Sequence, residues 1–531
     1  MSTRRRKHWG WGYEDEQPSP AETRSLAEVL CTHLGFGSTD IESPVALERA
    51  VLPEPRLPIP SALAEFSSAD LHERASHAYG RAYRDVVRAF RGRFDHAPDF
   101  VARPRDEREI ETVLEFADGC GAAVIPYGGG TSVVGGVEAR LGSRYAGAVA
   151  LDVSALDRVL EVDAVSRAAR IQAGALGPGL ESQLAEHDLT LRHYPQSFEF
   201  SSLGGWIATR AGGHFATLMT HIDDLVESVR AITPTGSWES RRLPGSGAGV
   251  SPDRLLIGSE GTLGVITEAW VRVRPRPVHR RSVGVSLPDF LTGAGCVRAL
   301  SQSGLHPSNC RLIDAAEAAL TGAGDGQAPL LVLGFESDDH EVDAWMQRAL
   351  AICAEHGGRW SERSGDGDAV GSWREAFLRA PYLRDTFVAM GVFSETFETA
   401  ITWERFDSFH EQVLGAVSDA LREQAPAGSP PGQVTCRFTH VYPDGPAPYY
   451  TILAPARRGE ELEQFAALKQ AASDAIIAAG GTITHHHAVG RDHRSWYDRQ
   501  RPDAFAAALR GAKAAVDPGG LLNPGVLVDP L

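Results

Sequence analysis

The spacing of hydrophobic residues predicts a unit of alternating helices and strands over residues 96–275. Hydrophobic residues recur at helical spacing from Ile110 to Ala117, and Gly119 is placed to end that helix. The strand patterns that follow are AAVIPYG, AVALDVS, RVLEVDA and ARIQAGA, and GPGLESQLAEHDL (177–189) predicts a helix opened by Gly and Pro. This order of elements is typical of an α/β or α+β domain.

The pattern changes near residue 276, after which strands such as PLLVLGFES alternate with long helices. The segment 459–481 has the pattern of an amphipathic helix closed by two glycines. It leads to HHHAVG at 485–490, where we expect a passage from helix to strand with side chains on alternating faces. At most two of the three imidazoles would then point the same way.

Three consecutive histidines leave three interpretations open. A metal site needs three or four convergent ligands, and among the adjacent residues Asp492 alone supplies a carboxylate. A proton-handling site would use an imidazole that titrates near neutral pH. The third interpretation is that the three histidines have only a structural role.

The glycine-rich loop GGGTSVVGG (128–136) follows a predicted strand and has the composition of a phosphate-binding loop. Glycine permits positive φ and lets backbone N–H groups approach an anion. The loop matches neither the dinucleotide fingerprint nor the P-loop, because the required third Gly and the Gly-Lys-Ser/Thr ending are absent. Similar segments of small and hydroxyl residues recur at 196–213, 221–236 and 258–275. Together they predict a cofactor wrapped in main chain.

The composition of the chain excludes several classes of protein. The net charge of −17, from 69 acidic and 52 basic residues, argues against broad nucleic-acid binding. The six cysteines form no CxxC pair, which is typical of free thiols in a reducing compartment. The sequence shows no signal-peptide pattern and no apolar run of membrane length, so a cytoplasmic location is expected.

Several motifs resemble those of a known family. PYGGGTS, EGTLGVIT and DPGGLLNPG resemble the PCMH-type FAD-binding fold of the vanillyl-alcohol oxidase superfamily. Within it, THHHAVG resembles the histidine segment of the alkyldihydroxyacetonephosphate synthases. The similarity to that family continues, in its order, through KHWGWGYEDE, SFEFSSLGGWIATRAGG, SNCRLID, YLRD, SETFETAITWERF and CRFTHVYPDGPAPYY.

The resemblance implies an α+β protein with a two-subdomain PCMH-type FAD-binding fold and an α/β cap domain, whose antiparallel sheet is flanked by helices. It divides the chain into an N-terminal helical region (1–95), the FAD-binding domain (96–275), the cap or substrate domain (276–515) and a C-terminal segment returning to the FAD domain (516–531). It also implies that FAD is held non-covalently.

The reaction implied by the resemblance is redox-neutral. Acyl-dihydroxyacetone phosphate exchanges its fatty acid for a long-chain fatty alcohol, and an ether bond forms. In the family, a proton is abstracted from C1 and the flavin N5 acts as the nucleophile. The alternative is a flavin dehydrogenase or oxidase of a 2-hydroxy acid, of the D-lactate or glycolate type, because fold alone does not separate the two.

The resemblance also assigns roles to residues of the second half. Tyr449 corresponds to the tyrosine that abstracts the proton, which requires nearby cations to lower its pKa. The histidines handle protons and orient the substrate, with no metal implied. Arginine suits phosphate because its planar fork donates two hydrogen bonds. The candidate catalytic residues are Tyr449, His485, His486, His487 and Arg384, and the candidate substrate-binding residues are Arg311 and Arg384.

The candidate cofactor-binding residues lie in the glycine-rich segments. They are Pro126, Tyr127, Gly128, Gly129, Gly130, Thr131, Ser132, Gln196, Ser197, Glu199, Phe200, Ser201, Ser202, Thr209, Arg210, Ala211, Gly212, Glu260, Gly261, Thr262, Leu263, Gly264, Val265 and Ile266.

Three positions depart from the family pattern. Tyr127 stands where an Ile is usual, Gly212 where a Ser is usual, and Ala488 where a Gly is usual. Because both substrates carry long chains, an apolar tunnel and peripheral membrane contact are expected, and we expect a homodimer.

Overall fold

Three β-sheets and one two-stranded ribbon organise the part of the chain that the structure describes. The computed structural model describes residues 4–360 and 369–529. Positions 1–3, 361–368 and 530–531, which belong to the predicted N-terminal, cap and C-terminal segments, lie outside the described residues. Parallel and antiparallel sheets occupy different parts of the chain, so the fold class is α+β, as predicted.

The first sheet carries the glycine-rich loop at the end of one of its strands. Its strand order is Ser67–Ser68, Phe100–Ala102, Ala148–Asp152, Ala123–Tyr127. The last three strands are parallel, and the first pairs antiparallel with the second. The helix Glu107–Cys120 makes the crossover that parallel strands require.

The second sheet is antiparallel and has the strand order Val159–Asp163, Ala168–Gln172, Val265–Arg272, Val226–Thr233, Gly236–Glu239. The ribbon pairs Arg274–Pro275 with Leu189–Thr190.

The third sheet has seven antiparallel strands and forms the framework of the second half. Its order is Arg359–Trp360, His279–Ser286, Leu330–Ser337, Asn309–Ile313, Gln433–Val441, Pro446–Pro455, Val392–Glu398. The helices Phe290–Gln302, Trp403–Gln424 and Glu461–Ala478 contribute side chains to the large hydrophobic core against this sheet.

The remaining α-helices are Pro20–Leu34, Leu71–Ser76, Tyr83–Phe90, Gly177–Ala185, Leu203–Thr209, Asp253–Leu256, Ala315–Leu320, Asp343–Glu355, Ala369–Ala389, Arg494–Gln500 and Asp503–Val516. Short 3₁₀ turns occur at Glu14–Glu16, Leu47–Arg49, Ser61–Leu63, Val153–Ala155 and Ile222–Asp224.

The helix Glu107–Cys120 shows where local sequence reasoning missed a boundary. Asp106 caps its start by accepting a hydrogen bond from the N–H of Glu109. The predicted end at Gly119 is wrong by two residues, because Gly121 adopts the left-handed φ of 69° that closes the helix. The predicted buried face is correct and comprises Ile110, Val113, Leu114 and Ala117.

The C-terminal residues pack against the first sheet through a buried lysine. The N–H of Val124 donates to Leu521, and that of Asn523 donates to Val124. The Nζ of Lys513 donates to the carbonyls of Thr262 and Leu522, at 2.7 Å each. Lys513 also forms a buried ion pair with Asp517. The chain end is thereby tied to the EGTLG segment.

Neither disulfide bonds nor membrane spans support this fold within the described chain. All six cysteines are free thiols, as predicted. Among the described helices, none combines the length and hydrophobicity that crossing a bilayer requires.

The buried Lys513 leads to a prediction about stability. Lys513→Met leaves the carboxylate of Asp517 and two carbonyls without their cationic donor, so we expect the free energy of unfolding to fall by about 3 kcal/mol. Chemical denaturation of the variant and wild type measures this difference. Arg510→Met, on an exposed position of the same helix, is the matched control and should change little. Equal losses in both variants would contradict the buried-donor account.

Candidate active site

A cavity of about 500 Å³ lies between the glycine-rich loops and the seven-stranded sheet. Main chain and small side chains from 126–137, 195–213 and 260–266 line one side of it. The other side is lined by charged and aromatic side chains of the sheet. Its apolar end is lined by Leu30, Leu34, Trp373, Phe377, Leu383, Phe387 and Leu453.

The first glycine-rich loop has the properties of an anion cradle. Within the described residues, the N–H groups of 129–133 donate no hydrogen bond, although this loop lines the cavity. A Cβ at Gly128 would lie 2.3 Å from Ser202 Oγ, and one at Gly129 would lie 1.7 Å from the carbonyl oxygen of Phe200. The close approach of the 196–202 segment therefore requires glycine here. Free, adjacent N–H groups in such a loop suit a diphosphate.

Strand register places three charged or polar side chains in one row on the sheet. Tyr449 pairs with Glu398 on one neighbouring strand and with Arg437 on the other. Directly paired residues of antiparallel strands project from the same face. All three side chains are buried, and those of Tyr449 and Arg437 line the cavity.

The guanidinium of Arg437 lies 3.9 Å from the centroid of the Tyr449 ring and forms a buried ion pair with Glu317. Burial raises the pKa of the Tyr449 phenol, and Arg437 and Arg384 offset that rise only in part. The expected cations are therefore present, but the pKa of Tyr449 is raised rather than lowered. Tyr449 is a phenol rather than a phenolate.

The three histidines are organised by the carboxylate of Glu398. The N–H groups of His485, His486 and His487 donate to it at 2.6, 3.2 and 2.9 Å. The hydroxyl of Thr484 donates to it at 2.5 Å. The expected strand with alternating faces is wrong, because successive N–H groups that converge on one anion form a curved nest instead of an extended segment.

The charge states in this loop follow from burial and from those contacts. Burial raises the pKa of Glu398, but the charges that His487 and His485 carry when they are protonated at low pH, together with the hydroxyl of Thr484 and the N–H of His487, outweigh burial and lower this pKa to about 2. Burial lowers the pKa of His485 and His486 well below the usual value, and lowers that of His487. The three imidazoles are therefore neutral around an ionised carboxylate.

A second buried carboxylate holds the other end of the histidine loop. Glu260 accepts hydrogen bonds from the N–H groups of Val489 and Gly490, at 2.9 and 2.8 Å. Burial raises the pKa of Glu260 to about 7. The loop is thus held by one carboxylate from each half of the chain.

Arg311 is a buried cation without a counter-ion. It forms no ion pair with any described carboxylate, and its Nε has no hydrogen-bond partner. Its guanidinium lies 4.7 Å from the Trp373 ring and 5.1 Å from the Phe377 ring. Burial, then the charge of Arg437, lowers its pKa to about 9. Since an unpaired buried charge is costly, this side of the cavity suits an anionic group.

The comparisons with known proteins agree with this geometry. Residues 98–240 match the family of FAD binding domains, and residues 276–527 match the C-terminal domain of FAD linked oxidases. The chain is 30% identical over 486 residues to the alkyldihydroxyacetonephosphate synthase of Caenorhabditis elegans, covering 86% of this chain and 80% of the relative. The corresponding protein of Dictyostelium discoideum is 29% identical over 482 residues, covering 86% and 77%.

The chain belongs to the alkyldihydroxyacetonephosphate synthase family.

A solved structure of an alkyldihydroxyacetonephosphate synthase superposes with a TM-score of 0.81 at 26% identity, covering 98% of both chains. The predicted family and PCMH-type fold are confirmed, and the chain is an FAD-dependent enzyme of this type. Its cofactor is FAD, and the free N–H groups and glycine packing of the 128–133 loop fit that dinucleotide.

Most residues predicted for the site of this synthase-family chain line the cavity. They are Pro126, Tyr127, Gly128, Gly129, Gly130, Thr131, Ser132, Gln196, Ser197, Ser201, Ser202, Thr209, Ala211, Gly212, Glu260, Gly261, Gly264, Val265, Ile266, Arg311, Arg384, Tyr449, His486 and His487.

Six predicted residues do not line it, for identifiable reasons. Glu199 accepts a hydrogen bond from Tyr382, and Phe200 packs beside Trp11. Arg210 pairs with Asp223 at 2.8 Å. The other three are Thr262, whose hydroxyl donates to Ser259, Leu263 in the core, and His485 behind His486.

Two of the three departures from the family pattern are accommodated by their neighbours, and the third, Ala488, leaves a non-glycine residue in the left-handed region. The Tyr127 hydroxyl donates to Ser76, and its ring lies 4.3 Å from that of His77. A Cβ at Gly212 would approach His440 to 2.9 Å, so glycine makes room for that ring. Ala488 adopts a φ of 73°, where the usual glycine would be unstrained.

Sequence reasoning missed Arg437, Glu398 and His440, although each lies in a motif that carried the resemblance. Alternation along a strand pattern could have placed Arg437 on one face, but the register shift between Phe438 and His440 decides that Arg437 pairs with Tyr449. His440, His485 and His486 have ligand atoms within 4.8 Å of one another, the arrangement that a metal would need. Asp492 does not join them, because it pairs with Arg84 at 2.7 Å.

The nest leads to a prediction about stability and pH. Glu398→Gln removes the charge that three N–H groups share, so we expect a loss of about 3 kcal/mol at pH 7. Because the pKa of Glu398 is lowered from 4.5 to about 2, its stabilisation is complete above about pH 4.5 and is lost as pH falls through about 2.

Urea denaturation at several pH values measures this effect. The difference between wild type and Glu398→Gln should be equal at pH 7 and pH 5 and should shrink below about pH 4. The exposed Glu404→Gln is the matched control. A difference that does not depend on pH down to about 3 would refute the anionic nest.

Proposed function

We propose that this protein replaces the acyl chain of acyl-dihydroxyacetone phosphate with a long-chain fatty alcohol, forming the ether bond of alkyl-dihydroxyacetone phosphate. The observation that carries the proposal is one cavity with three kinds of lining. It is lined by an anion cradle for FAD, by the polar side chains of Arg311, Tyr449 and His486, and by a group of apolar side chains. A phosphorylated substrate with a long chain needs all three.

The main chain of 129–133 would hold the diphosphate of FAD, and the small residues at 209–212 and 261–264 would border its rings. When bound, FAD supplies a nucleophilic ring nitrogen for an exchange in which no net electron transfer occurs.

Arg311 would bind the substrate phosphate. Its buried guanidinium has an unpaired Nε and is flanked by Trp373 and Phe377, which keep water away. Arg384, which donates to the carbonyl of Arg81 at 2.6 Å and has no carboxylate partner among the described residues, would support the same anion. Binding between these cations orients C1 of the substrate toward Tyr449.

Tyr449 and the histidines would handle protons at C1. The C1 hydrogen is acidified by the adjacent ketone, and Tyr449 is the proposed acceptor. A phenol in this site loses its proton more readily when Arg437 and Arg384 are close, although burial acts in the opposite direction. Neutral His486 and His487, with ring centroids 6.0 and 5.4 Å from that of Tyr449, each offer an unprotonated ring nitrogen near the phenol, although burial weakens both as bases.

The apolar end of the cavity would receive the acyl and alkyl chains. Residues from the helices Pro20–Leu34 and Ala369–Ala389 line this end. Val29 and Leu378 on these two helices are 54% and 58% exposed. Such exposure supports contact with a lipid surface by a cytoplasmic protein. The homodimer stays a prediction.

Turnover with labelled substrates tests this function directly. Purified protein with FAD should incorporate labelled hexadecanol into alkyl-dihydroxyacetone phosphate and release the fatty acid. Under anaerobic conditions, D-lactate and glycolate should leave the flavin absorbance unchanged. Bleaching by a hydroxy acid, without ether formation, would favour the dehydrogenase alternative.

Tyr449→Phe tests the role of the phenol. We expect turnover to fall by about 10²–10⁴-fold, because a proton acceptor is lost, while the flavin spectrum stays unchanged. Tyr450→Phe makes the same change on the next residue of the strand, where the phenol lies 3.0 Å from His410. It should retain most of the activity. Equal activity of the two variants would exclude Tyr449 as the acceptor.

A further inference from the structure

We propose that His485 and Tyr442 form an exit path for protons from His486 to the surface. This inference rests on the proposed function, because it concerns protons released by that reaction. Neither residue lines the cavity.

A continuous series of polar contacts connects the cavity to Tyr442. The Nδ1 atoms of His486 and His485 are 3.0 Å apart. The Nε2 of His485 lies 2.8 Å from the hydroxyl of Tyr442. That hydroxyl lies 3.0 Å from the hydroxyl of Thr220. His221 approaches His485 less closely, at 3.5 Å between Nε2 and Nδ1.

The two ends of this series lie in different environments. His486 lines the cavity beside Tyr449. Tyr442 is half-buried and is followed in sequence by the exposed residues Pro443 and Asp444. Thr220 is buried, so the partly exposed Tyr442 is the end of the series nearest to solvent.

One set of tautomers satisfies the whole series. If His486 donates from Nδ1 to Nδ1 of His485, then His485 donates from Nε2 to the hydroxyl of Tyr442, which releases its own proton to solvent at the partly exposed end of the series. Passing one proton along the series reverses each donor and acceptor in turn. Neutral imidazoles suit this role, because each offers one donor and one acceptor nitrogen. Burial keeps His485 and His486 neutral by lowering the pKa of both.

The reaction requires such a path on grounds of proton balance. The bond from C1 to the acyl oxygen breaks, and the fatty acid leaves as a carboxylate. The bond from C1 to the alkyl oxygen forms, and the alcohol loses its O–H proton. The C1 proton is removed and later replaced. One proton per turnover must therefore leave a buried site, and no oxidant or reductant is involved.

Tyr442→Phe and His485→Gln interrupt the series at two points outside the cavity. We expect turnover to fall by about 10–100-fold in each, toward the lower limit of general acid–base effects. KM and FAD absorbance should stay unchanged. Exchange of the substrate C1 hydrogen with deuterated solvent should slow in parallel, and high concentrations of imidazole buffer should restore turnover. Tyr497→Phe, on the helix Arg494–Gln500, is the control and should behave as wild type.

Each other outcome has a definite meaning. Variants with wild-type turnover and exchange overturn the exit path while leaving the proposed function intact. A loss that buffer does not restore indicates a structural role and overturns it as well. A stoichiometric metal in the wild type that is absent from His485→Gln also overturns it, because coordinated nitrogens cannot pass protons. If wild type makes no ether product, both proposals fail together.

Discussion

The carboxylate of Glu398 is the constraint on which the rest of the site depends. Three successive N–H groups and one hydroxyl converge on it, so the backbone of the histidine loop can take only one course. Because Glu398 is also paired with Tyr449 in the sheet, the same residue positions the loop relative to the phenol. Loss of its charge would separate the imidazoles from the sheet without removing any of them.

Main chain and side chains contribute to different parts of the site. The glycine-rich loops offer N–H groups and close approach, which suits a cofactor bound in the same way in every turnover. The sheet offers Tyr449, Arg437 and Arg311, which would act on the substrate in the proposed function. Glu260 connects the two halves, because it belongs to the cofactor segment but binds the backbone of the histidine loop. A shift of either half would therefore displace the other, because Glu260 holds the two together.

The local pattern of residues predicts those features of the structure that depend on neighbours in sequence. The buried face of the helix Glu107–Cys120 follows from its spacing, and the loop at 128–136 follows from its glycines. Arg437 and Tyr449 pair within one hairpin, but an irregularity between Phe438 and His440 shifts the register that the turn alone would set. The course of the histidine loop was missed because Glu398 lies far away in sequence. The position of His485 next to His486 and His487 in sequence predicts that it lines the cavity with them. The curvature of the nest instead turns its side chain toward Tyr442.

The central claim is that the glycine-rich main chain and the side chains of Tyr449 and Arg437 face one bound cofactor from opposite sides. A crystal structure of the FAD-loaded protein tests this most directly. The account predicts the diphosphate within hydrogen-bonding distance of the N–H groups of 129–133, with the flavin ring between that loop and Tyr449. A diphosphate bound elsewhere, or a flavin ring turned away from Tyr449 and His486, would contradict it.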